Sequence, residues 1–147
     1  MEVDTETGQI RPTRAVAAVD AGTVINPDLA AGQLEGGLHR GIGFALLEST
    51  DYDRTTGELT CKGYLTDFKI LASTDMPLVD DIRTFFAHTY EPSGPFGAKG
   101  VGEAANNCTA GAVANAIYNA VGIRFKEIPI TPEKILAALK EKEGSRW

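Results

Sequence analysis

The chain has 147 residues, 43% of them hydrophobic and 23% charged, with a net charge of −6; that is enough for one hydrophobic core and too apolar for wholesale disorder. An acidic chain without a Lys/Arg cluster has nothing to follow a phosphate backbone or an anionic lipid surface, so nucleic acid and membrane are poor partners. No apolar run nears the roughly 20 residues of a membrane helix, and Met1-Glu2-Val3-Asp4-Thr5-Glu6 has no basic or apolar leader character, so the expectation is a single cytoplasmic domain over residues 1–147.

The first residues place a turn cluster, Asp4-Thr5-Glu6-Thr7-Gly8, ahead of Arg14-Ala15-Val16-Ala17-Ala18-Val19, which reads as a buried strand and as one half of a hairpin. The same turn pattern recurs at Asp53-Arg54-Thr55-Thr56-Gly57, inside a second hairpin expected over 52–65. In both, an Asp opens the turn and a glycine able to take positive φ closes it. Asn26-Pro27 punctuates a connector, after which residues 27–49 carry Leu34, Leu38, Ile42, Phe44 and Leu46 at near-helical spacing. Residues 67–78 read as irregular, and 82–90, rich in β-formers, as a strand.

A glycine–proline loop spans 91–102, and a helix over 110–121, with Val113, Ile117 and Val121 on one face, is ended by Gly122. Residues 125–130 read as a short strand, at an edge because of Pro129. Thr131-Pro132-Glu133 opens a last helix, which is expected to fray from Lys140 to Gly144. Strands and helices are interspersed, so the class is α+β, hairpins and a mixed sheet with packed helices.

Two segments cost more backbone freedom than a plain fold requires. In Gly32-Gln33-Leu34-Glu35-Gly36-Gly37-Leu38-His39-Arg40-Gly41-Ile42-Gly43, each interior glycine weakens a helix by about 1 kcal/mol relative to alanine. Something must press close to that backbone, either another helix, the commoner case, or a ligand. Gln33 stands beside the glycines, where a carboxamide both donates and accepts toward a polar group. The second segment, Pro92-Ser93-Gly94-Pro95-Phe96-Gly97-Ala98-Lys99-Gly100-Val101-Gly102-Glu103, presents successive backbone N–H groups. It has neither P-loop nor G-x-G-x-x-G spacing. Glu103 follows the loop near a helix start, where an acid serves either as a partner of the helix dipole or as a general base held in a cleft.

Other residues carry less. His39 and His88 lack partners at metal spacing, Lys99 reads as an exposed loop lysine, and Asp80-Asp81 as a solvated pair. Cys61 and Cys108 lie far apart outside any C-x-x-C pattern and read as small buried or half-buried hydrophobes.

Gly94-Pro95-Phe96-Gly97-Ala98-Lys99-Gly100-Val101-Gly102-Glu103 resembles the G-P-[YF]-G-A-K-G-V-G-E segment near the end of the molybdenum-binding subunit of the xanthine dehydrogenase and aldehyde oxidase family. Gly32-Gln33-Leu34-Glu35-Gly36-Gly37, with Gly41-Ile42-Gly43 behind it, resembles that family's G-Q-[IV]-E-G-G…G-[LI]-G. Residues 18–27 are similar to the stretch just before it, and 128–136 to the family's C-terminal P-[IL]-T-P-E. The resemblance implies a molybdopterin-binding domain, the C-terminal portion of a molybdenum hydroxylase subunit, acting on a heterocycle or aldehyde with oxygen taken from water. It implies Glu103 as the catalytic base, and the Gln33 side chain with the backbone of Val101 and Gly102 as cofactor contacts, the metal taking no ligand from these side chains. The implied cofactor is molybdenum-molybdopterin, as such or in a dinucleotide form. Two electrons would leave through 2Fe-2S and FAD carried by partner subunits, the rest of the molybdenum subunit being a further partner in an oligomeric complex. Ala104-Ala105 after Glu103 departs from the Pro-Pro of some members and weakens assignment to the purine branch. Without those partners the chain would not turn over. The competing reading is a structural or assembly module that keeps the scaffold without the chemistry.

Overall fold

The computed structural model describes residues 1–60 and 68–144. Its first element is a small antiparallel hairpin, β1 (Glu2–Val3) with β2 (Ile10–Arg11). The turn between them is built as its sequence demands. Asp4 Oδ1 accepts from the amides of Glu6 (2.8 Å) and Thr7 (3.1 Å), and Gly8 closes the turn at φ +75°. The second turn repeats this geometry, Asp53 Oδ1 accepting from Thr55 (2.7 Å) and Thr56 (2.8 Å) with Gly57 at φ +73°. Tyr52 and Leu59 bridge across it; the rest of the hairpin expected over 52–65, and Cys61, lie outside the described residues.

The strand expected at 14–19 is β3 (Ala15–Val19), and it is not half of a hairpin. The hairpin closes within residues 2–11, and β3 runs parallel to β4 (Ile82–Phe86), Ala17 opposite Thr84. Nor is it wholly buried: Ala17 faces the core while Val16 is 55% exposed, the alternation of a strand with one covered face. The antiparallel and parallel pairs thus form separate two-stranded sheets. The strand expected over 82–90 ends at Phe86, where the chain turns into the loop.

Helix α1 (Pro27–Leu46) begins where Asn26 Oδ1 caps the amide of Leu29 at 3.0 Å, with Pro27 in the first turn. Five glycines in its length weaken it by about 5 kcal/mol in propensity, and packing on α2 (Ala104–Val121) offsets part of that. A Cβ on Gly37 would stand 2.9 Å from Ala105 Cβ, and one on Gly41 would collide with Thr109. The bland reading, close helix packing, therefore holds for these two. Gly32 and Gly36 differ: among the described residues, nothing outside their own helix backbone and chain neighbours comes within 4 Å of a Cβ built on either.

Helix α2 starts six residues before the periodicity of 110–121 suggests, because buried Ala105 and Thr109 pack into the notch left by Gly37 and Gly41. Thr109 satisfies its hydroxyl by donating to Ala105 O at 2.5 Å. Gly122, in the left-handed conformation at φ +68°, ends the helix as expected. Residues 125–130 form no strand; the Ile130 amide instead donates to Ala45 O near the end of α1 at 2.7 Å. Helix α3 (Pro132–Gly144) continues through the stretch expected to fray. The main core joins Ile42, Leu46, Val113, Ile117, Ile130 and Ile135, and a smaller one under β3 joins Ala17, Leu34, Leu38 and Ala105.

Candidate cofactor-binding site

The site grows from the meeting of two loops. Where β3 ends, the Asp20 carboxylate accepts from the Gly22 amide (3.0 Å), the Thr89 hydroxyl and the Lys99 ammonium (2.7 Å). Lys99 first, then Thr89 and the Gly22 amide, hold the Asp20 carboxyl well below the usual range, at about 2; the same pair raises the Lys99 pKa. Backbone bonds reinforce the junction. Gly97 O accepts from both Thr23 (2.8 Å) and Glu91 (3.0 Å), and Ala21 O accepts from Lys99 (2.9 Å). Glycine is required at Gly22 and Gly97, because both have positive φ and a Cβ on either would drive into the facing chain. Between them Phe96 takes φ 54°, rare for a bulky residue, and is 85% exposed.

Beyond Lys99 the character changes. The amides of Gly100, Val101 and Gly102 have no acceptor among the described residues, and nothing lies within 4 Å of a Cβ built on Gly100. Gln33, on the exposed side of α1, reaches this segment: its Oε1 lies 3.9 Å from where a Gly102 Cβ would be. Its carboxamide also lacks a hydrogen-bond partner among the described residues. Gln33 and Val101, with Thr23, Asn26 and Lys99, line one open cleft of about 320 Å³.

Glu103 follows Gly102 directly and occupies the N-cap position of α2. Its side chain caps nothing, and it is exposed, not lining the cleft. The structure therefore brings Gln33, Val101 and Gly102 together and places Glu103 beside them, exposed. Asn106, three residues into the same helix, carries a buried Oδ1 with no partner among the described residues, a group that a neighbouring donor would satisfy.

Residues 1–77 match the family model described as the molybdopterin cofactor-binding domain. The chain belongs to that family. It is 41% identical over 143 residues to the Probable hypoxanthine oxidase of Escherichia coli (strain K12), a match covering 95% of this chain and 14% of that protein. It is 36% identical over 139 residues to the 6-hydroxypseudooxynicotine dehydrogenase complex subunit gamma of Paenarthrobacter nicotinovorans, covering 93% and 17%. Among solved structures, the aldehyde oxidoreductase from Desulfovibrio gigas superposes with a TM-score of 0.80 at 34% identity, covering 94% of this chain and 14% of that one. The chain thus spans less than a fifth of the length of these relatives, which are oxidoreductases of the xanthine dehydrogenase and aldehyde oxidase family.

As part of a molybdopterin domain, the open segment fits its group. Three amides and a carboxamide without partners among the described residues, with open space at Gly100, offer donors and close approach to a polar ring system and its phosphate.

The remaining sequence candidates fall elsewhere. His39 Nε2 lies 2.9 Å from Leu71 O, a structural contact, and His88 is exposed. Lys99 is the exposed loop lysine expected and is also Asp20's ion-pair partner, and Asp81 pairs with Arg14 at 3.5 Å while Asp80 is exposed. Cys108 is an exposed free thiol and no hydrophobe of the core. Among the described residues no helix is long and apolar enough to cross a membrane. Sequence reasoning missed Asp20, Thr89 and Asn106. A lone Asp after a strand gives no sign that it will meet a lysine 79 residues on.

Proposed function

We propose that this chain is the C-terminal portion of the molybdenum subunit of a hydroxylase, a single domain over 1–147, and that Glu103 is the enzyme's general base. The observation that supports the reading is the adjacency of Gln33 to Gly102, because it sets a carboxamide against three amides, all without partners among the described residues, immediately before a carboxylate that makes no capping bond.

When bound, the molybdenum-molybdopterin group, as such or as a dinucleotide, supplies the two-electron oxidation that hydroxylation of a heterocycle or aldehyde demands. The amides of Val101 and Gly102 donate to it at backbone nitrogen, and the Gln33 carboxamide orients it from the α1 side. Glu103 takes the proton of the attacking water-derived oxygen at a carboxylate oxygen, for which it must stand within about 3 Å of that proton. In this reading the metal takes no ligand from the side chains of Gln33, Val101 or Glu103. The upstream part of the subunit supplies the walls that exclude water from Glu103 and that select the small-molecule substrate. Partner subunits of a cytoplasmic, oligomeric complex would hold the 2Fe-2S and FAD groups that supply the electron exit.

The test is to purify the chain with the complete subunit and its partners, measure molybdenum, and supply a heterocyclic or aldehyde substrate in isotopically labelled water. Stoichiometric molybdenum and label in the product support the reading. A metal-free complex, or product oxygen drawn from dioxygen, overturns it.

A further inference from the structure

The Asp20 carboxylate ties three segments into one knot: the end of β3 through Gly22, the chain beyond β4 through Thr89, and the glycine–proline turn through Lys99. The aliphatic stem of Lys99 also lies over Gly22, its Cγ 3.3 Å from where a Cβ there would be. Immediately past the knot come Gly100, Val101 and Gly102, whose amides have no acceptor among the described residues. The Val101 side chain packs against the smaller core, but no backbone hydrogen bond between Lys99 and the first turn of α2 fixes the course of these amides among the described residues. We infer that Asp20 and Lys99 are positioning residues, whose ion pair fixes the start of the Gly100-Val101-Gly102 segment and so aims its amides and Glu103. The inference rests on the cofactor role proposed for that segment.

The side chains of Lys99 and Asp20 are 35% and 43% exposed, and an ion pair so placed adds little to global stability. Its worth lies in geometry. A displacement of about 1 Å in a catalytic group can cost on the order of 10²-fold in rate, whereas the same displacement in a surface loop costs nothing. Stability and chemistry are thus expected to respond differently to loss of the pair, which separates a positioning role from a merely structural one.

The experiment uses the assembled enzyme, with Lys99→Met, Asp20→Asn and Lys99→Arg. Hydrogen exchange at amides 100–102 is followed by mass spectrometry, alongside kcat and KM per bound molybdenum and the thermal midpoint. In Lys99→Met and Asp20→Asn, exchange rises and kcat falls by about tenfold or more with KM nearly unchanged, while the midpoint barely moves. Lys99→Arg keeps the charge and restores most of both. If Lys99→Met does not accumulate, the near-isosteric Asp20→Asn gives the same readouts. Unchanged exchange at 100–102, or turnover per molybdenum within about twofold of wild type, overturns the inference. The exchange arm needs no assumption about the base. Faster exchange together with a fully active Glu103→Gln would leave the clamp standing and remove the proposed base. Unchanged exchange together with a dead Glu103→Gln would do the reverse.

Discussion

Gln33 and Gly102 come from segments 69 positions apart, yet Gln33 Oε1 lies only 3.9 Å from the point a Gly102 Cβ would occupy. That separation is an ordinary van der Waals contact, so Gly102→Ala fits the fold of this chain. Its thermal midpoint is expected to stay within about 2 °C of wild type. The added methyl does, however, fill the space between the carboxamide and the free amides. Molybdopterin content of the assembled enzyme, measured as its fluorescent oxidation product, is expected to fall well below wild type. Full content in Gly102→Ala would show that the gap receives nothing.

The glycines of α1 divide into two kinds, and alanine distinguishes them. Gly41→Ala drives a methyl into Thr109 and is expected to lose about 1–3 kcal/mol in urea unfolding. Gly36→Ala meets open space and is expected to gain about 0.5–1 kcal/mol in the isolated chain through better helix propensity. In the complete enzyme the same Gly36→Ala should impair assembly or cofactor loading, since its open face is where an outside group approaches. A stabilised chain that also assembles normally would mean Gly36 has no such neighbour.

The clamp has a defined pH window. The Asp20 carboxyl is lowered to about 2 from an ordinary value near 4, so its contribution is full above the unfolded value and is lost as pH falls through the folded one. Lys99 is raised, so its contribution is full below its ordinary value and is lost only at higher, alkaline pH. Exchange at amides 100–102, corrected for intrinsic rates, is therefore expected to be flat from about pH 5 to 9 and to rise below about pH 4. A transition near neutrality would assign the loop's order to some other group.

Because the chain spans less than a fifth of the length of its relatives, the isolated protein is expected to fold and to bind little molybdenum. Cooperative unfolding by circular dichroism and a near-zero metal signal by plasma mass spectrometry are the expected pair of results. Stoichiometric metal in the lone chain would contradict it.

Much of the fold was legible where local chemistry decides it. The Asp-x-x-x-Gly turns, the Asn26-Pro27 start of α1 and the Thr131-Pro132 start of α3 each need only neighbours in sequence. The misreadings share a different cause. β3 was assigned to a hairpin because its partner β4 lies more than 60 residues away, and the early start of α2 depends on a notch in another helix. The strand expected at 125–130 has β-forming residues but spends its Ile130 amide on the end of α1. In the site, Gln33, Val101, Gly102 and Glu103 stood out through the glycines around them. The Asp20–Lys99 pair did not, since long-range ion pairs leave no mark on local pattern.

The central claim is that Glu103 is the base, and Glu103→Gln in the assembled enzyme tests it most directly. The amide keeps the size and one accepting oxygen but cannot take up a proton at neutral pH. Losing a positioned general base costs about 10²–10⁴ in rate, or roughly 3–5 kcal/mol of barrier. An acid that merely complements the helix dipole predicts at most about 1 kcal/mol of stability and near-normal kinetics. Rapid single-turnover reduction of the metal centre by substrate isolates the chemical step from electron exit. The account predicts full molybdenum occupancy with reduction slowed at least about 10²-fold, whereas reduction at close to the wild-type rate with the metal fully loaded would contradict it.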